Sequence, residues 1–254
     1  MGREFKSVIW RSLGFLVMLE MMVAAAIIWW PSFAENMSTI KSLASPIPML
    51  RDMVNSLEAG GISAYVTGQH YFKACNTLGA AAAVLFAVGA VAGEAHRGTL
   101  ELWLARPVSR TRLLTERYLF GLFALTLPIF ASSASIPSLL ATVDETMQMS
   151  DLMLCSVHSS LFLASIYSVT FLWSTVGSQP TRIAMAVLFL AIFQFAIYMV
   201  KTITHYSLFR LVDIEAFVQI TSRNQLNWPV VAGMLAANLL CFGAALFAFK
   251  RRVP

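Results

Sequence analysis

Long apolar runs alternate with short polar segments along the whole chain. Unpaired backbone groups are too costly in hydrocarbon, so a run of about 20 apolar residues predicts a helix that crosses a bilayer. Six segments meet this condition: 13–33, 74–92, 113–140, 152–176, 183–200 and 228–249. The pattern therefore predicts an all-α membrane protein, with residues 1–254 forming one transmembrane domain.

The residues before the first run predict a separate short helix at 3–12. Apolar side chains mixed with basic ones favour a helix that lies on the membrane surface. A cleaved signal peptide is the alternative, because small residues precede Glu35. The apolar run is longer than a usual signal core and contains Glu20, so we expect the segment to be retained.

Two segments outside the spans have apolar residues at helical spacing. Residues 46–57 predict a short helix that Gly60 and Gly61 would end, and 62–72 could form a second short piece. Residues 207–220 predict an amphipathic helix that dips into the outer leaflet without spanning it.

Composition and charge support this class. Hydrophobic residues make up 58% of the chain and charged residues only 12%, about half the share of a soluble domain. The net charge of +5 comes from basic residues that flank apolar runs, which favours lipid-headgroup contacts over nucleic acid. With the N-terminus inside, basic residues are twice as frequent in the inner segments as in the outer ones. We therefore expect a protein of the cytoplasmic (inner) membrane with both termini in the cytoplasm.

The polar stretch after the second span has an informative order of residues. Glu94 and Arg97 end the span, Gly98 allows a tight turn, and Thr99 can cap a new helix. That helix, at about 98–104, would carry an apolar face and stop at Arg106-Pro107, after which Ser109 can cap the next element. Such a helix suits either docking into a groove of another protein or lying on lipid, and the residues alone leave both open.

This stretch resembles the permeases of type-2 ATP-binding-cassette exporters. The matching residues are Glu94, Arg97, Gly98, Thr99, Leu100, Glu101, Leu102, Arg106, Pro107, Val108, Ser109 and Arg110. The resemblance implies that 98–104 is a coupling helix docked on an ATPase subunit, with Leu100 and Trp103 as apolar anchors and Arg97, Glu101 and Arg106 at the rim. It also implies a second permease chain, identical or a sister, and export driven by ATP.

The ATPase is expected to be a separate polypeptide. The sequence has no phosphate-binding loop and no soluble stretch that could hold a nucleotide-binding domain. ATP and Mg would then bind the partner, and this chain would have no cofactor and no enzymatic activity of its own. A non-transporting assembly or signalling subunit of an ATPase complex is the alternative, because it could keep the same coupling helix.

Three polar residues inside the spans are candidates for a substrate pathway. An intramembrane carboxylate such as Glu20 suggests a pathway or a pairing with a neighbouring group. Ser132 could line a cavity or let helices pack closely, and Gln194 could bridge helices by a hydrogen bond.

No metal site and no catalytic site is predicted. The histidines and cysteines nearest the outer side show no H-x-x-x-H or C-x-x-C spacing, and the chain has no G-x-S-x-G or H-E-x-x-H motif.

Overall fold

The computed structural model describes residues 2–101 and 108–251, and every regular element within them is helical. The α-helices are α1 (Gly2–Glu35), α2 (Met37–Ala44), α3 (Pro48–Val66), α4 (Gly79–Val88), α5 (Ala92–His96), α6 (Arg110–Leu140), α7 (Met149–Val176), α8 (Pro180–Met199), α9 (Ile214–Arg223) and α10 (Trp228–Arg251). A π-helix (Thr67–Leu78) joins α3 to α4, and short 3-10 turns lie at Ala141–Val143, Thr204–Tyr206 and Leu208–Val212.

Within the described residues, six helical stretches are long and apolar enough to cross a membrane, as the sequence predicts. They are Lys6–Glu35, Leu50–Val88, Arg110–Val143, Met149–Val176, Pro180–Met199 and Trp228–Arg251. The alternating direction of these stretches gives the bundle two ends. We call the end that holds α5 the α5 end and the opposite one, which holds α9, the α9 end.

The first helix runs without a break from Gly2 to Glu35. The predicted surface helix at 3–12 is therefore continuous with the first span. Its position on a membrane surface stays a prediction.

The second span differs from the prediction at both ends. It was expected at 74–92, whereas the helical stretch runs from Leu50 to Val88. The expected helix end at Gly60-Gly61 is only a kink, with Gly61 at φ 56° and ψ −143°, after which the helix resumes. Thr67, His70 and Asn76 hid this part of the span, because these polar side chains are buried inside the protein instead of facing water.

Helix α7 lies at the centre of the bundle. It packs against α4, α6 and α10, and its buried side chains run from Leu152 near the α9 end to Ser174 and Thr175 near the α5 end. Helix α1 packs mainly against α6. The central helix therefore touches both ends of the molecule.

The amphipathic helix expected at 207–220 forms as α9, later than expected, after two 3-10 turns. Asp213 caps it by accepting a hydrogen bond from the Ala216 amide at 2.9 Å. Its apolar residues Ile214, Phe217 and Ile220 are at most 4% exposed, because they pack against α3, the π-helix and α7. The apolar face predicted to enter lipid is thus covered by the protein itself.

Candidate functional site

The α5 end contains a sharp break between α4 and α5, which we call the elbow (residues 85–92). A helix that ends leaves its last carbonyls without partners, and one that begins leaves its first amides without partners. In the elbow both sets meet one side chain, Ser174 of α7. Its hydroxyl donates to the Val88 carbonyl (3.1 Å) and accepts from the amides of Ala92 (2.9 Å) and Val91 (3.3 Å).

Two arginines from other spans bind further carbonyls of the elbow. Arg11 of α1 donates to the Leu85 carbonyl, and Arg117 of α6 donates to the Ala90 carbonyl, each at 3.0 Å. Guanidinium groups make strong hydrogen bonds because their donors are charged. The elbow is therefore held by side chains from three separate spans.

Directly after the elbow lies a buried carboxylate. Glu94 is only 2% exposed, forms an ion pair with Arg97 and accepts a hydrogen bond from the Thr99 hydroxyl. Burying a charge is costly unless it is paired and hydrogen-bonded, and both partners are supplied from within five residues. The carboxylate thus folds the chain back on itself at the end of α5.

The turn expected at Gly98 is present. Gly98 has φ +70°, a left-handed conformation that glycine adopts without steric cost. The Thr99 amide donates to the Glu94 carbonyl at 3.0 Å, and Leu100 and Glu101 are helical. Leu100 is buried at 7% exposure, whereas Glu101 is exposed. The described part of the predicted coupling helix is thus helical at Leu100 and Glu101, and the helix as a whole stays a prediction.

The rest of the predicted coupling site is only partly described. Trp103, Arg106 and Pro107 lie outside the described residues. Ser109 caps α6 as predicted, since its hydroxyl accepts from the Arg112 amide at 3.3 Å. Arg110 begins α6 and donates to the Lys250 carbonyl of α10 at 3.2 Å. The segment thus returns to the bundle beside the end of the last span.

Two of the three predicted pathway residues lie near each other. The Ser135 hydroxyl is 2.8 Å from Oε2 of Glu20 and 2.8 Å from the Ser132 carbonyl oxygen, so it can donate to either. Glu20 is partly exposed, whereas Ser132 is fully buried beside His70. These contacts connect α1 to α6 within the membrane.

Gln194 lies apart from that pair, on α8. Its side-chain oxygen accepts from the Leu208 amide at 3.0 Å, and its carbonyl accepts from the Ser207 hydroxyl at 2.7 Å. It borders an apolar cavity of about 440 Å³ between α7, α8 and α10. Its amide therefore secures the 3-10 turn that lines one side of this cavity.

Sequence reasoning missed a buried polar cluster around the π-helix, which we call the outer cluster (His70, Tyr71, Cys75, Ser132, Ser133 and Ser156). The Tyr71 hydroxyl lies 2.9 Å from the Ser133 hydroxyl and 2.8 Å from the Leu152 carbonyl. The Ser156 hydroxyl lies 2.8 Å from Ser133 Oγ. The six side chains are completely shielded from solvent. The signal in the sequence was a polar run between apolar segments, and its Gly68 and Asn76 suggested a loop instead of a buried helix.

The π-helix explains why two members of the outer cluster meet. Its backbone hydrogen bonds join residues five apart, so side chains at that spacing lie on one face. His70 Nε2 accordingly lies 3.7 Å from Cys75 Sγ, with the hydroxyls of Ser132 and Ser133 at 3.3 and 3.4 Å. Ligand spacings based on an α-helix could not show this contact. Among the described residues, no group of three or more His, Cys, Asp or Glu side chains could hold a metal ion.

The described part of the chain thus has six candidate spans, with a turn around a buried carboxylate after the second span. Comparison with known proteins adds the family. No curated protein matches the chain. The family model described as "ABC-2 family transporter protein" matches residues 4–252, nearly the whole length. The chain therefore belongs to the ABC-2 family of membrane transporter components.

Proposed function

We propose that the chain is the membrane-spanning permease subunit of an ATP-driven exporter. Separate ATPase subunits would bind ATP and Mg and would dock on the coupling helix at 98–104. The observation that carries this proposal is the turn at Glu94–Thr99. A buried carboxylate, an ion pair and a left-handed glycine hold the start of a new helix in one position at the end of the bundle.

A fixed projection of this kind suits the transfer of movement. A short helix can follow a partner only if its base does not bend, and the paired Glu94 stiffens that base. Leu100, buried at 7% exposure, belongs to the apolar core of the bundle instead of standing free as an anchor for the partner. In this proposal Glu101, which is exposed, and Trp103 face the ATPase.

Basic residues support the proposed orientation. The α5 end contains Arg11, Arg97, Arg110, Arg112 and Arg117. Short loops rich in Lys and Arg face the cytoplasm. We accordingly propose that the α5 end and both termini are cytoplasmic, in the inner membrane, and that the permease pairs with an identical or sister chain.

Affinity purification of the tagged chain in mild detergent tests the docking. We expect recovery of a stoichiometric partner that hydrolyses ATP, and its loss in Glu101→Lys or Trp103→Ala. Tyr206→Ala is the matched control, because Tyr206 is 71% exposed at the opposite end. If the altered chains retain the ATPase as well as the control does, the docking assignment is wrong. Purification of the unaltered chain without any ATPase would favour the assembly or signalling alternative.

Glu20 is the proposed pathway residue that can be tested without knowing the substrate. A carboxylate in hydrocarbon is costly and is often functional. We expect dicyclohexylcarbodiimide, an apolar carboxyl reagent, to label the protein in bilayers and Glu20→Gln to abolish that labelling. Glu35→Gln, at the exposed end of the same helix, is the control. Equal labelling of wild type and Glu20→Gln would remove Glu20 from the pathway.

A further inference from the structure

The backbone of the elbow is hydrogen-bonded by side chains from three different spans, which a simple loop between two spans does not require. Its carbonyls and amides are bound by side chains from α1, α6 and α7, which lie far apart in the sequence. Water usually satisfies such groups at a membrane surface, but Val91 and Ala92 are at most 1% exposed, so side chains take its place here. The three side chains tie the base of the coupling segment to three spans.

We propose that Arg11, Arg117 and Ser174 form a three-span clamp that transmits movement of the coupling segment to α1, α6 and α7 together. This inference rests on the proposed function and assigns positioning residues that the coupling helix alone does not contain. Ser174 is the most specific of the three. One buried hydroxyl joins the last carbonyl of α4 to the first amides of α5.

The two arginines act at different points of the elbow. Arg11 binds the Leu85 carbonyl inside α4, and its Nη1 lies where a side chain at Gly89 would come within 3.5 Å. Arg117 binds the Ala90 carbonyl between the two helices. Since each arginine belongs to a different span, rotation of the elbow pulls on α1 and α6 at once.

Nearby residues of the same types do not reach the elbow in this way and provide matched controls. Arg112 lies on α6 little more than one turn before Arg117 and pairs with Glu116 on its own helix. Ser165 lies on α7 and donates to the Leu161 carbonyl of the same helix at 3.1 Å. Substituting them removes the same chemical groups without touching the clamp.

Hydrogen exchange of the chain alone tests the contacts. Ser174→Ala should speed exchange at the Val91 and Ala92 amides by about tenfold or more, since these amides lose the hydrogen bond that protects them. Ser165→Ala should leave these amides unchanged. Unchanged exchange in Ser174→Ala would overturn the clamp, whether or not the chain is a transporter subunit.

Spin-label distances in the assembled complex test the transmission. Labels at His96→Cys, the exposed last residue of α5, and at Thr111→Cys, in a chain carrying Cys241→Ala, report the base of the coupling segment against α6. With the clamp intact, and in Arg112→Gln, ATP with vanadate should leave this distance unchanged because both sites move as one body. With Arg117→Gln and Ser174→Ala combined, ATP hydrolysis should persist while the distance shifts by about 2 Å or more, the size of interface helix shifts.

The outcomes separate the two proposals. A clamp-deficient chain whose label distance stays as constant as in the control overturns the clamp and leaves the permease assignment intact. An unaltered chain that neither binds an ATPase nor responds to nucleotide overturns the permease assignment, and the transmitting role with it. Rescue by Ser174→Thr, which keeps the hydroxyl, would support the assigned contacts.

Discussion

The two ends of the molecule differ in the side chains that satisfy their polar groups by hydrogen bonds. At the α5 end, polar backbone groups are bound by charged side chains such as the exposed Arg11 and the partly buried Arg117. At the α9 end, neutral hydroxyls and an imidazole bind one another in the outer cluster, where its members are fully shielded from solvent. Charged groups at a hydrated surface can replace a broken contact by a hydrogen bond to water. The groups of a buried neutral network have no such replacement when the network opens. The α9 end should therefore be the rigid end and the α5 end the movable one.

The largest effect on the unfolding free energy is expected from truncating Tyr71, at the centre of the outer cluster. Tyr71→Ala removes a fully buried ring that stacks on Phe217 with centroids 5.3 Å apart, together with its hydrogen bonds. The cost should be about 3–5 kcal/mol of unfolding free energy. Denaturation in detergent micelles measures it.

Tyr206→Ala is the control, because that ring is 71% exposed. It should change the unfolding free energy by about 0.5 kcal/mol or less. Similar losses in the two variants would contradict the rigid character of the outer cluster.

The second-largest effect is expected from the pH dependence of stability through Asp213, which caps α9 at the same end. Burial raises the pKa of the Asp213 carboxyl from 3.8 to about 6, although the Ala216 amide opposes the rise. The native state therefore holds a proton that the unfolded chain releases between these values. Stability from this group is fully present below pH 3.8 and is lost as the pH rises through about 6.

Asp213→Asn keeps the cap and removes the titration. At pH 8 it should therefore raise the unfolding free energy by up to about 3 kcal/mol, with no gain at pH 4. Unfolding curves of both proteins at the two pH values give the comparison. An equal effect of Asp213→Asn at pH 4 and pH 8 would show that the carboxyl does not titrate abnormally.

A smaller effect on the unfolding free energy is expected from substituting Glu94 at the α5 end. Glu94→Gln removes the charge that Arg97 pairs with, and the lost charged hydrogen bond should cost about 2 kcal/mol. Glu116→Gln, which breaks an exposed i,i+4 pair with Arg112, should cost only about 0.5 kcal/mol. Unfolding in micelles, with retention of the ATPase as a second readout, compares the two carboxylates. Equal costs would mean that burial adds nothing at Glu94.

The smallest effect concerns the turn. Gly98→Val places a branched side chain at positive φ and should cost about 1–2 kcal/mol, while weakening ATPase recovery. Gly98→Asn should be nearly silent, because asparagine tolerates this conformation. Loss of the ATPase in both variants would point to contact of the partner with Gly98 itself and not to the shape of the turn.

Prediction from the sequence succeeded where one property of a segment decides its structure. Apolar length identified all six spans, and the hydroxyl of Ser109 and the freedom of Gly98 marked a helix start and a turn. It failed at the second span, where polar residues suggested a loop. The sequence could not show that His70 and Asn76 are covered by α6 and α7, because those neighbours are far away along the chain.

The contacts of the candidate site are likewise of two kinds, local ones and ones between distant residues. The pairing of Glu94 with Arg97 and Thr99 is local, and the motif that contains these residues was visible in the sequence. The binding of the elbow by Arg11, Arg117 and Ser174 was not, since it joins residues 27 to 86 positions apart. By itself the sequence determined the class of protein, the number of spans and the turn at Gly98, because apolar length and local turns need no distant partner. The π-helix, the outer cluster and the clamp were decided only by the tertiary structure, because the packing of distant helices selects which polar groups meet.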